Sequence, residues 1–128
     1  MTASEAVTRD VRVEVETRYS PGHSTPGAQW FFLYTITISN EGEQPVQLLS
    51  RHWLITDATG RVEEVHGPGV VGEQPVIEPG EAFEYTSGCP LPTPFGSMEG
   101  RYEMVTGEGE RFDAAIGRFQ LNEPGAIH

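Results

Sequence analysis

Apolar and β-branched residues alternate with charged ones near the start of the chain, where Arg12, Glu14, Glu16 and Arg18 separate Val11, Val13, Val15, Thr17 and Tyr19. A period of two puts one set on each face of a half-buried strand. The pattern returns from residue 30 to 40: Trp30, Phe32, Tyr34, Ile36 and Ile38 share one face, and Phe31, Leu33, Thr35, Thr37 and Ser39 share the other. The first set is the more apolar, so it is expected to face the core. Further strands are predicted over residues 46–57, 61–65, 82–87, 101–106 and 111–121, with a short apolar piece at residues 75–77.

Turn chemistry separates these segments. Pro21-Gly22 and Pro26-Gly27 make residues 20–27 a surface loop, residues 40–45 and Asp57-Ala58-Thr59-Gly60 reverse the chain, and a proline-rich loop is expected at residues 89–96. No segment carries a 3.6-residue period. Seven or eight short strands divided by turns predict an all-β fold, an antiparallel two-sheet sandwich or a barrel. With 128 residues the chain suits a single domain, residues 1–128, with a core over roughly 11–121 and extended ends that include the tail 122–128.

Charge narrows the function classes. Nineteen acidic residues face eight arginines and no lysine, a formal charge of -11. Such a surface repels phosphate backbones, so nucleic acid is not an expected partner. No apolar run approaches the ~18 residues of a membrane helix, and residues 1–5 lack the basic and apolar regions of a secretory signal, which predicts a cytoplasmic protein without membrane insertion. Cys89 has no second cysteine to pair with, in keeping with a reducing compartment.

The string Gly67-Pro68-Gly69-Val70-Val71-Gly72 matches the G-x-G-x-x-G pattern of dinucleotide sites. Those sites need a helix directly after the glycines, whose free N–H groups and dipole meet pyrophosphate. Pro75 and Pro79 prevent such a helix, and Glu63, Glu64, Glu73 and Glu78 would repel a polyphosphate. The string therefore reads as a crossing between strands, with Gly67, Gly69, Val70, Val71 and Gly72 as candidate contacts for a partner chain or a small anion.

Metal ligation has weaker support. His23, His52, His66, His128 and Cys89 show no paired spacing, and His66 with Glu64 could at most form a weak surface site for cobalt or magnesium. No other cofactor is expected. Cys89 would need His52 or His66 as a base to act as a nucleophile, and as a lone thiol between Gly88 and Pro90 it reads as structural. Phe31 and Leu33 leave the outer side of their strand partly apolar, a candidate interaction patch unless neighbouring segments cover it. Residues 90–95 are stiff and hence inexpensive to present to a partner. The chain thus reads as a binding module, not an enzyme. Its expected partner is another protein, or a weakly held second copy.

Residues 45–57, 67–75, 78–81, 85–88 and 98–104 together resemble the bacterial ApaG family, in order and across nearly the whole chain. The resemblance implies a fibronectin type III-like or immunoglobulin-like sandwich and an association with cobalt and magnesium resistance or efflux. It also implies protein binding, the role that the same domain resembles in F-box proteins and in a polymerase-interacting protein. No catalytic residues are carried over. Pro68 departs from an acidic residue in many relatives, and Cys89 from a small apolar one.

Overall fold

Residues 2–25 and 27–124 are described by a computed structural model; Met1, Pro26 and residues 125–128, with the candidate ligand His128, lie outside the described residues. Among the described residues nine strands follow in chain order: β1 Ser4–Thr8, β2 Val11–Tyr19, β3 Trp30–Asn40, β4 Val46–Asp57, β5 Val62–Pro68, β6 Val76–Ile77, β7 Ala82–Leu91, β8 Phe95–Thr106 and β9 Arg111–Asn122. One sheet runs β1-β2-β3-β7 and the other β5-β4-β8-β9, with the short β6 added beside β4. Every pairing is antiparallel. The result is the expected all-β two-sheet sandwich.

The inner face of β3 is the one its alternation predicted. Phe32, Tyr34, Ile36 and Ile38 are buried beside Val11, Val13 and Val15 of β2. Trp53 of β4 meets them from the other sheet, with ring centroids 5.4 Å from Tyr34 and 5.9 Å from Phe119. Each such aromatic pair adds about 0.5–1.5 kcal/mol beyond simple burial. Buried Asn40 fixes the end of β3: its Nδ2 donates to Gln44 O and Ile77 O, and its Oδ1 accepts from Gly42 N.

Four boundaries differ from the sequence expectation, one of them β8, which begins at Phe95 and not at residue 101 because residues 95–100 already pair with β4 and β9. β1 was not anticipated, because its hairpin turn onto β2 uses Arg9 and Asp10 at φ 47° and 64°. Turns with two positive φ values usually announce themselves through Asn-Gly or Asp-Gly, and neither is present here. Cys89-Pro90-Leu91 belong to β7 and not to a loop, pairing with Phe32, Phe31 and Trp30. Pro90 is tolerated because β7 ends its sheet and has a side that donates no ladder bond. β5 runs on to Pro68, so the first two residues of the glycine string are strand.

The two long sides of the sandwich are unequal. On one, β9 packs against β1 and β2, and Ala115 N donates to Thr8 Oγ1 at 3.1 Å. On the other, β5 and β7 each end their sheet, and a cleft lies between them.

Candidate functional site

A β-bulge fills this cleft with chemistry. Leu48 pairs with Met104 and Ser50 with Glu103, so β4 spends two residues where β8 spends one. The extra residue reverses the alternation, and Arg51 joins Trp53 and Ile55 on the inner face. There Arg51 lines both cavities of the cleft, an outer one of about 400 Å³ and an inner one of about 250 Å³. Its Nη1 donates to Pro68 O and Gly69 O, both at 2.9 Å. Among the described residues no carboxylate lies within ion-pair distance of it.

The glycine string builds the wall opposite. A Cβ on Gly67 would stand 3.2 Å from Arg51 Nη2, so the missing side chain makes room for the guanidinium. Gly69 has φ +60° and a Cβ there would fall 2.3 Å from Glu73 O. Val70 N donates to Glu73 O and Glu73 N to Val70 O, which closes a two-residue turn over Val71 and Gly72. Both turn residues have positive φ, Val71 44° and Gly72 80°. That conformation suits glycine or asparagine and is strained for a β-branched residue. Yet Val71 occupies it 54% exposed, while Val70 is buried.

Tyrosine hydroxyls line the interior. Tyr85 and Tyr102 share a short hydrogen bond across the sheets, and the Tyr34 hydroxyl meets Ser87. Burial pushes all three phenols above their ordinary range. Trp53 is 2% exposed, and its buried Nε1 has no hydrogen-bond partner among the described residues. Burial, with a smaller contribution from Glu63, raises the Cys89 thiol to about 12 and keeps it protonated. A thiol in that state is a poor nucleophile.

The remaining candidates lie elsewhere. Phe31 and Leu33 are half-buried; the Phe31 ring fills the space a Cβ on Gly88 would need and lies 5.5 Å from the ring of His23. The loop after β2 thus shields part of the predicted patch. His66 pairs with His52 across β5 and β4, their rings 5.5 Å apart, and Glu64 Oε2 lies 3.4 Å from His52 Nε2. These three do share one face, but no group of three or more metal-ligating side chains among the described residues could hold an ion. The neighbouring hollow, about 660 Å³, contains Arg101 and Glu103, whose charges are met by Asp113 and Arg111. Sequence reasoning missed Arg51, Tyr34, Tyr85 and Trp53 as site residues. Only an arginine placed among Leu48, Leu49, Trp53, Leu54 and Ile55 hinted at the first.

The family model described as the ApaG domain matches residues 22–106, a range that contains every cleft residue named above. The chain belongs to the ApaG family. It is 55% identical to Protein ApaG of Rhodopseudomonas palustris over 120 residues, covering 93% of this chain and 92% of that one. With Protein ApaG of Pseudomonas aeruginosa the identity is 57% over 119 residues, 92% and 94% of the two chains. A Bordetella pertussis crystal structure given as an ApaA protein superposes with a TM-score of 0.88 at 50% identity, covering 94% of this chain and all of that one. No helix among the described residues is long and apolar enough to cross a membrane.

Proposed function

We propose that this ApaG chain is a non-catalytic, cytoplasmic protein-interaction module whose contact surface is the mouth of the β5/β7 cleft, with Val71 at its tip. The observation that carries this reading is Val71 itself: an apolar, β-branched side chain held at φ 44° and left 54% exposed beside two strand edges that end their sheets. Backbone strain of this kind costs about 1–3 kcal/mol and concentrates at sites that bind. Any role in cobalt or magnesium resistance would then pass through the bound partner, with no ion held by the chain itself.

The test is a pull-down from native lysate with wild type and Val71→Asn. Asparagine relieves the strain while removing the apolar tip, so the variant should be more stable and should lose partners. Identical partner lists would remove the surface from consideration. Gly69 is a poorer probe, since any side chain there collides with the Glu73 backbone.

A second reading, a sensor for a small phosphate compound, draws on Arg51 standing without an ion pair beside the glycine crossing. Backbone amide shifts in Arg51, Val71 and Gly72 on titration with inorganic phosphate would favour it, and their absence at millimolar concentration would dismiss it.

A further inference from the structure

Two cavities that meet at Arg51, Tyr34 and Ser87 differ in chemistry. Among the described residues the outer cavity is lined by one guanidinium and by Tyr34, Tyr85 and Ser87, and by no carboxylate. In a chain of charge -11 that is a local exception, and it complements an anion. The inner cavity is walled by Trp53, Ile55, Val65, Cys89 and Met98, and Glu63 stands at its rim.

The edges beside the cleft are also unequal. β5 carries Glu63, Glu64 and Pro68, residues that deter a further strand. On β7, the run Tyr85-Thr86-Ser87-Gly88-Cys89 holds no charge, and among the described residues no strand pairs with its outer side. A partner strand laid along β7 that stops beside Ser87 would end next to Arg51.

The geometry points to a protein C-terminus as the occupant: its last segment adds to the free edge of β7, its terminal carboxylate meets Arg51 in the outer cavity, and an apolar last side chain enters the inner one. This rests on the protein-interaction reading above and names the feature of the partner that is recognised. It joins two known recognition modes, strand addition at a sheet edge and capture of a terminal carboxylate. Both Nη1 hydrogens of Arg51 are donated to Pro68 O and Gly69 O, so the carboxylate meets the Nε–Nη2 edge, whose two N–H donors are parallel.

The probe is a set of fluorescein-labelled hexapeptides of β-forming sequence ending in Leu, Phe, Ala or Asp, each as free acid and as amide, read by fluorescence anisotropy. Free acids ending in Leu or Phe should bind, with amidation weakening them by about tenfold or more, the scale of one charge-assisted hydrogen bond. In Arg51→Gln the acid and amide should bind equally weakly. Ser87→Glu, which leaves Arg51 in place and puts a carboxylate into the outer cavity, should abolish binding while circular dichroism stays native. Equal affinity of acid and amide for wild type overturns the proposal, and so does a free 4-phenylbutyrate ion that binds as tightly as the best peptide. If no peptide binds while Val71→Asn still strips partners from lysate, the C-terminus assignment fails and the interaction module stands; if Val71→Asn strips none, the module reading fails as well.

Discussion

Arg51 lies flat against Gly67: the guanidinium carbon is 3.3 Å from where a Cβ on that glycine would sit, and the two residues are register partners on β4 and β5. One residue reaches the interior by a bulge, and the other clears space for it. Gly67 is thereby a positioning residue for Arg51, the one cation that lines the cleft among the described residues.

Substitutions at the two glycines should therefore separate. Gly67→Ala meets only the end of a flexible side chain, so it should cost about 1 kcal/mol or less while displacing Arg51 and weakening partner capture. Gly69→Ala combines φ +60° with a collision at a backbone carbonyl, and should cost at least about 2 kcal/mol. Urea unfolding of both variants measures the difference, and equal losses would contradict this account of the string.

Val71→Asn should raise stability by about 1 kcal/mol, since asparagine accepts positive φ more readily than valine. For a domain of this size that is a rise in Tm of about 4 °C. A lower Tm would mean that the Val71 side chain supports the fold and is not held for contact.

The buried tyrosine pair should behave as a unit. Tyr102→Phe leaves the Tyr85 hydroxyl buried without its partner, and Tyr85→Phe does the same to Tyr102. Each should cost about 1–3 kcal/mol, while the double variant should cost clearly less than the sum. Additive losses in a double-mutant cycle would argue that the two hydroxyls do not depend on one another.

Stability should fall on the alkaline side. The thiol of Cys89 is raised from 9.0 to about 12 and the phenols of Tyr34, Tyr85 and Tyr102 are raised from 10.0, all mainly by burial. The folded chain then holds these protons more tightly than the unfolded chain, so their contribution is complete below pH 9.0 and is lost as pH rises beyond it. Thermal melts between pH 7 and 11 should show Tm declining above about 9. Cys89→Ala should delay that decline until the tyrosines begin to titrate; a profile unchanged by the variant would remove the thiol from the explanation.

Much of the fold was legible because a strand's period of two is written into neighbouring residues. β2 and β3 follow the alternation, and their inward residues join the core; in β9 the inward set switches at a bulge from Ala114 and Ile116 to Phe119 and Leu121. β1 was not legible, since Arg9-Asp10 gives no turn signal. The extent of β7 was not legible either, since Pro90 reads as a loop until the strand is known to lie at an edge. Of the candidate site, the glycine string was found and its partner Arg51 was missed.

Sequence alone determined that the chain is all-β and built of short strands divided by turns, that one face of β3 is inside, and that Gly67 to Gly72 cannot start a helix. Tertiary structure decided which side of the sandwich stays open and which residues meet there. A bulge exists only relative to a partner strand: Leu49 is an extra residue because β8 offers nothing to oppose it. One unmatched residue turns every later side chain of β4 over. An arginine that the local pattern would send to solvent is thereby placed between the sheets, beside a glycine 16 positions further along the chain that leaves it room.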